Sequence, residues 1–505
     1  MIRWKVKKRI QVIFLCCVML FACILGKLGY EQLFHHGEIM EKAKESWERD
    51  FTVAGLRGSI LDSKGEKLAY DVPSTSVMVV PAQIKDADTT AKQLADILEA
   101  DEKKIKSTLT KKASTQKIQP EGRLIDDKKA KKIEELGLDG VYLVQDSLRY
   151  YPNNNYLAQV LGFTGIDNQG LAGLELQYDN ILRAQNGALK IPLDAKGHNV
   201  KMYKERYEAP GRGMDVQLTI DSTIQGIVER EVDNLVKKYH PKSALALAMN
   251  PKTGEILAMV SKPDFDPNHY EDYDCDVYNR NLPIWMSYEP GSTFKSVIFA
   301  SALDLNLFDM FKDTYDDKGY EMVNGARIKS WKAGGHGHQT FLQVLENSSN
   351  PGFVEISRRL GLDKEVEYVK KFGFGEKTGI DLPGESSGIM FDKKKMSELE
   401  QATVAFGQGI SVTPIQLVTA FSAIINGGTL YQPYITKSVL DPITHDPLVE
   451  FKPTPKRQVI KEETSKQMRY ALESVVANGG GKPAYMEGYK IGGKTGTAQK
   501  AENGV

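Results

Sequence analysis

The stretch Tyr288–Leu305, YEPGSTFKSVIFASALDL, limits the fold more than any other part of this 505-residue chain. Pro290 and Gly291 break the backbone, and after Ser292 the apolar residues Phe294, Val297, Ile298, Phe299, Ala302, Leu303 and Leu305 almost encircle a helix. A helix without a polar face belongs inside a core. Ser292 falls in its first turn, where free N–H groups and the positive dipole end favour an anion, and Lys295 follows one turn later over the same face. An ammonium at the rim of a core loses hydration, which lowers its pKa and frees the neutral amine to take the Ser292 proton.

S-x-x-K alone describes many helix N-termini, so the reading depends on partners. Ser348-Ser349-Asn350 follows a helix that Thr340 and Gln343 open as a capping box, and precedes Pro351, which predicts a tight turn between helices. K-T-G occurs three times, at Lys252, Lys377 and Lys494. The first lies in a turn between the runs 244–249 and 256–260, before the serine; the second lies in a glycine-rich loop. The third sits between Gly492-Gly493 and Ala498, small residues that let a ligand approach a strand, and continues into Thr497. In this order S-x-x-K, S-x-N and K-T-G resemble the signature of penicillin-binding proteins and serine β-lactamases, with Ser349 where S-D-N members carry Asp.

The length predicts two or three domains, and 66 Lys+Arg against 66 Asp+Glu leaves no basic footprint for nucleic acid as a partner. Charge is concentrated at the start. Arg3, Lys5, Lys7, Lys8 and Arg9 precede an apolar run from Ile10 to Leu28, interrupted by Gln11 and Lys27. Roughly 20 such residues cross a bilayer, and the basic flank predicts a cytoplasmic N-terminus with the rest outside. A cleaved signal peptide competes with an uncleaved anchor, but no small-x-small site closes the run, and Phe21 is too bulky for the lipoprotein box that Leu20–Cys23 otherwise resembles. Cys16, Cys17 and Cys23 lie in the apolar run, so Cys275 has no partner for a disulfide in the exported part.

Arg57, Gly58, Ile60, Asp62, Gly65, Leu68 and Ala69 match the entry motif of class B penicillin-binding proteins, and Arg149–Pro152, Leu161–Gly165 and Gly170–Tyr178 continue the resemblance through the family's pedestal. The lysine-rich region Ala87–Glu135 reads as solvated helix faces. Glu208–Gly213 reads as a linker, followed by a strand at Val216–Ile220 and a helix capped by Ser222 and Gln225. Asn279-Arg280-Asn281 reads as a surface turn, and His336 and His338 in GGHGH as a glycine loop rather than a metal site. Thr413-Pro414 opens an apolar helix that stops at Asn426-Gly427-Gly428.

The expected architecture is multidomain α/β and α+β. It has a basic tail (1–9), a transmembrane anchor (10–29), an α+β pedestal of the dimerisation type (30–207) and a transpeptidase domain (208–505) with an antiparallel sheet flanked by helices. The resemblance implies a further strand and C-terminal helix in the catalytic sheet, so the domain is expected to be incomplete at Val505.

The resemblance also implies the chemistry, without a cofactor or metal. Ser292 would attack the penultimate D-alanine carbonyl of a peptidoglycan stem peptide, Lys295 would accept its proton, and Ser348 with Lys494 would pass a proton to the leaving amine. Asn350 would hold the substrate amide. Backbone N–H groups of Ser292 and Thr497 would form the oxyanion hole, and Thr495, Gly496 and Thr497 with Lys494 would receive the terminal carboxylate. β-Lactams, the membrane and a membrane glycosyltransferase of the SEDS type are the other implied partners. Within the family, YNRNLPIWMSYEPGSTF (278–294) and AFGQGISVTP (405–414) look closest to the sporulation branch that makes spore cortex. A division-specific enzyme, a hydrolytic relative and a catalytically silent scaffold for the glycosyltransferase are the alternatives.

Overall fold

Helix α1 (Ile2–Phe34) runs through the basic tail as well as the apolar run, because nothing between Arg3 and Arg9 breaks a helix. Its apolar stretch, Val6–Phe34, is long enough to cross a bilayer, and none of its most apolar window is buried. The computed structural model describes residues 2–113, 115–192 and 206–498. The chain forms two compact units. The first comprises Met1–Leu56, Val72–Leu148 and Ala184–Gly211, and the second Arg57–Asp71, Arg149–Arg183 and Arg212–Val505.

In the first unit, α2 (Ala87–Leu98), α3 (Glu102–Leu109) and α4 (Asp127–Leu136) start at Asp86, Asp101 and Asp126, whose carboxylates accept the free N–H groups of each first turn. Their apolar faces bury Leu94, Leu98, Ile105, Leu109 and Ile133 against Val77, Val79 and Ile118. The lysines remain outside, as the charge pattern predicts. A separate antiparallel sheet joins Glu48–Val53, Gly187–Pro192 and Arg206–Glu208.

In the second unit, strands Pro447–Glu450, Thr436–Leu440, Asp215–Leu218, Ile60–Leu61 and the start of Lys67–Val79 lie side by side in that order. The expected antiparallel sheet is mixed here. Ile60 runs parallel to Val216, a pairing that a long crossover permits and a hairpin does not. The strand at 215 also ends at Leu218, two residues before the expected limit. Arg57 and Arg149 grip the two oxygens of Glu175 at 2.6 Å each, and all three side chains are essentially inaccessible. Arg57 also meets Asp179 at 2.6 Å, and Arg149 meets Asp71 at 3.2 Å. The expected linker at 208–213 is anchored at its end, since a Cβ on Gly213 would stand 1.7 Å from the Leu182 carbonyl oxygen.

Helix α5 (Ser222–Tyr239) packs on the antiparallel hairpin Ala244–Met249/Ile256–Lys262. Its cap is Asp221 rather than Ser222, whose hydroxyl donates to Asp62 at 2.6 Å. Gln225 exchanges hydrogen bonds with the Met259 backbone instead of capping. Asn281, expected in a surface turn, is buried, and its amide reaches the Met259 sulfur at 3.3 Å. The rest is a helical core around α6 (Lys295–Asp304), every residue of which is buried. Around it stand α7 (Phe341–Glu346), α8 (Asn350–Leu360), α9 (Leu362–Lys371), α10 (Glu398–Val404), α11 (Pro414–Ile425) and α12 (Glu462–Ala477). Thr340/Gln343 and Thr413/Gln416 form the capping boxes that open α7 and α11.

Candidate active site

Ser292 stands in a 3₁₀ turn, Gly291–Thr293, that runs directly into α6. Gly291 has φ +55°, and a Cβ there would lie 2.5 Å from the Thr497 carbonyl oxygen, while one on Gly407 would lie 2.1 Å from the Gly291 carbonyl oxygen. Three backbones therefore stack at the turn, which only glycine at 291 and 407 permits. Ser292 is half-buried, and its hydroxyl makes no hydrogen bond among the described residues.

Lys295 is fully buried. Its Nζ donates to the Ser348 carbonyl at 2.7 Å, to Ser348 Oγ at 3.1 Å and to Asn350 Oδ1 at 2.7 Å, and lies 5.2 Å from the centre of the Phe353 ring. No carboxylate pairs with it among the described residues. Burial, reinforced by the charge of Lys494, pushes its pKa well below the usual lysine range. Lys295 thus joins the serine turn to the second motif.

The turn bearing Ser348 follows from how two helices meet. Asn347 ends α7, Ser348 takes φ +53°, and Ser349 caps α8 by accepting the Gly352 N–H at 3.2 Å. Pro351 sits in the first turn of α8, where its missing N–H costs nothing. Ser348 and Asn350 therefore flank a buried cap and both face the Lys295 amine.

Lys494, expected on a strand, lies in a segment (491–498) without ladder pairing; the Gly493 N–H donates to the Leu472 carbonyl of α12 at 3.1 Å instead. The segment still runs beside the serine turn. A Cβ on Gly496 would meet the Pro290 oxygen at 2.8 Å, and the Thr497 backbone lies against Gly291. Desolvation pulls the half-buried Lys494 amine down to about 8. Thr495, Gly496 and Thr497 are exposed. The other two triplets are engaged away from this group. Thr253 donates to Glu255, and Glu385 accepts both the N–H and the hydroxyl of Thr378.

Sequence reasoning missed Trp331, whose indole N–H donates to the Asn347 carbonyl at 2.7 Å, and Phe353 beneath Lys295. Only Phe353 left a signal, as an apolar residue one turn into α8.

Residues 244–505 match the penicillin-binding protein transpeptidase domain, and residues 52–218 the penicillin-binding protein dimerisation domain. Stage V sporulation protein D of Bacillus subtilis is 52% identical over 499 residues, which cover 99% of this chain and 77% of that protein. The chain belongs to the class B penicillin-binding proteins. Within that family it is also 30% identical to peptidoglycan D,D-transpeptidase FtsI of Escherichia coli over 493 residues, covering 96% of this chain and 80% of the other. Penicillin-binding protein 2X from Streptococcus thermophilus superimposes with a TM-score of 0.67 at 25% identity. That match covers 84% of this penicillin-binding protein and 66% of the solved chain.

Proposed function

We propose that this class B penicillin-binding protein cross-links peptidoglycan stem peptides through an acyl-enzyme on Ser292. The observation that carries the reading is the Lys295 amine, buried with no counter-ion among the described residues, one turn from the serine and bonded to Ser348 and Asn350. A neutral amine there takes the Ser292 proton as Oγ attacks the penultimate D-alanine carbonyl. N–H groups of Ser292 and Thr497 receive the oxyanion, each such donor being worth about 10²–10³ in rate. Ser348, with Lys494, passes a proton to the D-alanine nitrogen as it leaves. Asn350 holds the peptide amide, and Thr495 and Thr497, with the Gly496 backbone between them and the charge of Lys494, seat the terminal carboxylate. An amine of a second stem peptide then takes the acyl group.

The functional division that accompanies this mechanism is a cytoplasmic tail at 1–9, an anchor at 10–29, a pedestal at 30–207 and a catalytic domain at 208–505 outside the membrane. A membrane glycosyltransferase of the SEDS type is the proposed partner of anchor and pedestal. The higher identity to stage V sporulation protein D than to FtsI favours a role in spore cortex over septal wall synthesis. Expression confined to sporulation supports that role, and constitutive expression with a division defect on depletion overturns it.

Incubation with fluorescent penicillin followed by intact-mass measurement tests the chemistry. The expected result is one long-lived adduct that Ser292→Ala abolishes. An absent adduct overturns the reading, and rapid adduct turnover makes the protein a hydrolase.

A further inference from the structure

Asp317 ends the strand Thr314–Asp317 and is fully buried. Its Oδ1 accepts the Gly319 N–H at 2.8 Å, and its Oδ2 accepts the hydroxyls of Ser349 at 2.9 Å and Ser330 at 3.2 Å. No lysine or arginine forms an ion pair with it among the described residues. A buried carboxylate held by neutral donors alone fixes those donors strongly, because its remaining desolvation cost rises with each bond lost.

The backbone around it is equally constrained. Asp317 faces Gly337 in the antiparallel pairing with Gly337–Thr340, and a Cβ on Gly335, which has φ +79°, would stand 2.1 Å from the Asp317 carbonyl oxygen. The GGHGH loop is thus a clamp on Asp317, which gives this motif a role without a metal. Ser349, the far end of the link, is also fully buried, and its oxygen accepts the Gly352 N–H while its proton goes to Asp317. The two residues beside it are the ones that hold the Lys295 amine, and one of them, Ser348, adopts a left-handed conformation that is unfavourable for a non-glycine residue. Something outside the turn must hold it in place.

We infer that Asp317 is a positioning residue for acylation: through Ser349 it sets Ser348 and Asn350 against Lys295. This rests on the acyl-enzyme chemistry proposed above. A consequence concerns the middle residue of S-x-N. A carboxylate at position 349 keeps the helix cap but stands against the carboxylate of Asp317, so in this chain Ser349 and Asp317 form a matched pair.

The test compares the wild type, Asp317→Asn, Ser349→Asp and the double variant in the full chain, reading the acylation rate by fluorescent penicillin, the non-covalent affinity and the melting temperature. Misplacement of a reacting group by an ångström costs about 10²-fold in rate, so Ser349→Asp is expected to acylate about 10²-fold more slowly with little change in affinity. In the double variant the amide introduced at position 317 donates to the carboxylate introduced at position 349, and most of that loss is expected to be recovered. Wild-type rates in both single variants, or losses that multiply in the double variant, overturn the proposal. So does failure of every variant to fold, which makes Asp317 a residue of the fold alone. A wild type that takes up no penicillin refutes the acyl-enzyme reading instead.

Discussion

At Lys295, three oxygen acceptors surround one amine that no carboxylate balances among the described residues, and the charge that acts on it is that of another lysine, Lys494. Two lowered amines in one site have opposite duties in the proposed reaction, since Lys295 must be neutral and Lys494 charged. Acylation at low penicillin concentration is therefore expected to rise through the depressed pKa of Lys295 and to fall again near pH 8 as Lys494 loses its proton. A pH–rate profile checks this, and Lys494→Arg should move the alkaline fall upward. A second buried group, Glu365, lies between Ser357 of α8 and Gln401 of α10, where burial raises its pKa from 4.5 to about 8. The folded state then binds a proton that the unfolded chain has released, so this contribution to stability is present below pH 4.5 and is lost as pH rises through about 8. Urea unfolding at several pH values should show that Glu365→Gln removes this slope.

At the scale of elements, α6 is held at both ends. The turn that leads into it, Gly291–Thr293, is stacked between Gly407 and Thr497, and its last residue, Asp304, accepts from the Tyr368 hydroxyl of α9 at 2.7 Å, from the Lys461 N–H at 2.7 Å and from the Thr464 hydroxyl at 2.9 Å. Asp304→Ala strands two buried hydroxyls and the partly buried Lys461 N–H, and is expected to cost about 3 kcal/mol, read from the shift in urea midpoint. Such elements differ in how visible they are to sequence reasoning. The capping boxes Thr340/Gln343 and Thr413/Gln416 are legible because both members lie within one turn. Asp221 displaces Ser222 as a cap because a carboxylate 160 residues away claims the serine hydroxyl, and no local pattern records that. The three motifs are legible as residue types in order; that Lys295 bonds to Ser348 and Asn350 while Ser292 has no hydrogen-bond partner among the described residues is a geometry that no spacing encodes. Asp317 is invisible for the same reason, as one acid among 66 acidic residues.

For the whole molecule, the second unit is stitched from three stretches of chain, and Glu175 between Arg57 and Arg149 ties two of them together. Glu175→Gln leaves two buried guanidiniums short of charge and is expected to destabilise that unit by about 3–5 kcal/mol, seen as an earlier loss of penicillin labelling on heating. The interleaving itself escaped the sequence reading. Ile60–Leu61 is only two residues long, too short for any periodicity, and its parallel partner arrives after a crossover whose Ser59–Asp215 contact spans 156 residues. The same geometry orders events during synthesis. Ser63 finally receives the Lys437 ammonium from 374 residues downstream, and Ile60–Leu61, though paired early with the start of Lys67–Val79, leaves the ribosome long before its parallel neighbour Asp215–Leu218 exists. Until that strand arrives the chain carries an unmet edge, and a protein begun at residue 208 would leave Val216 and Leu218 without Ile60, uncovering apolar surface that the intact chain closes from behind.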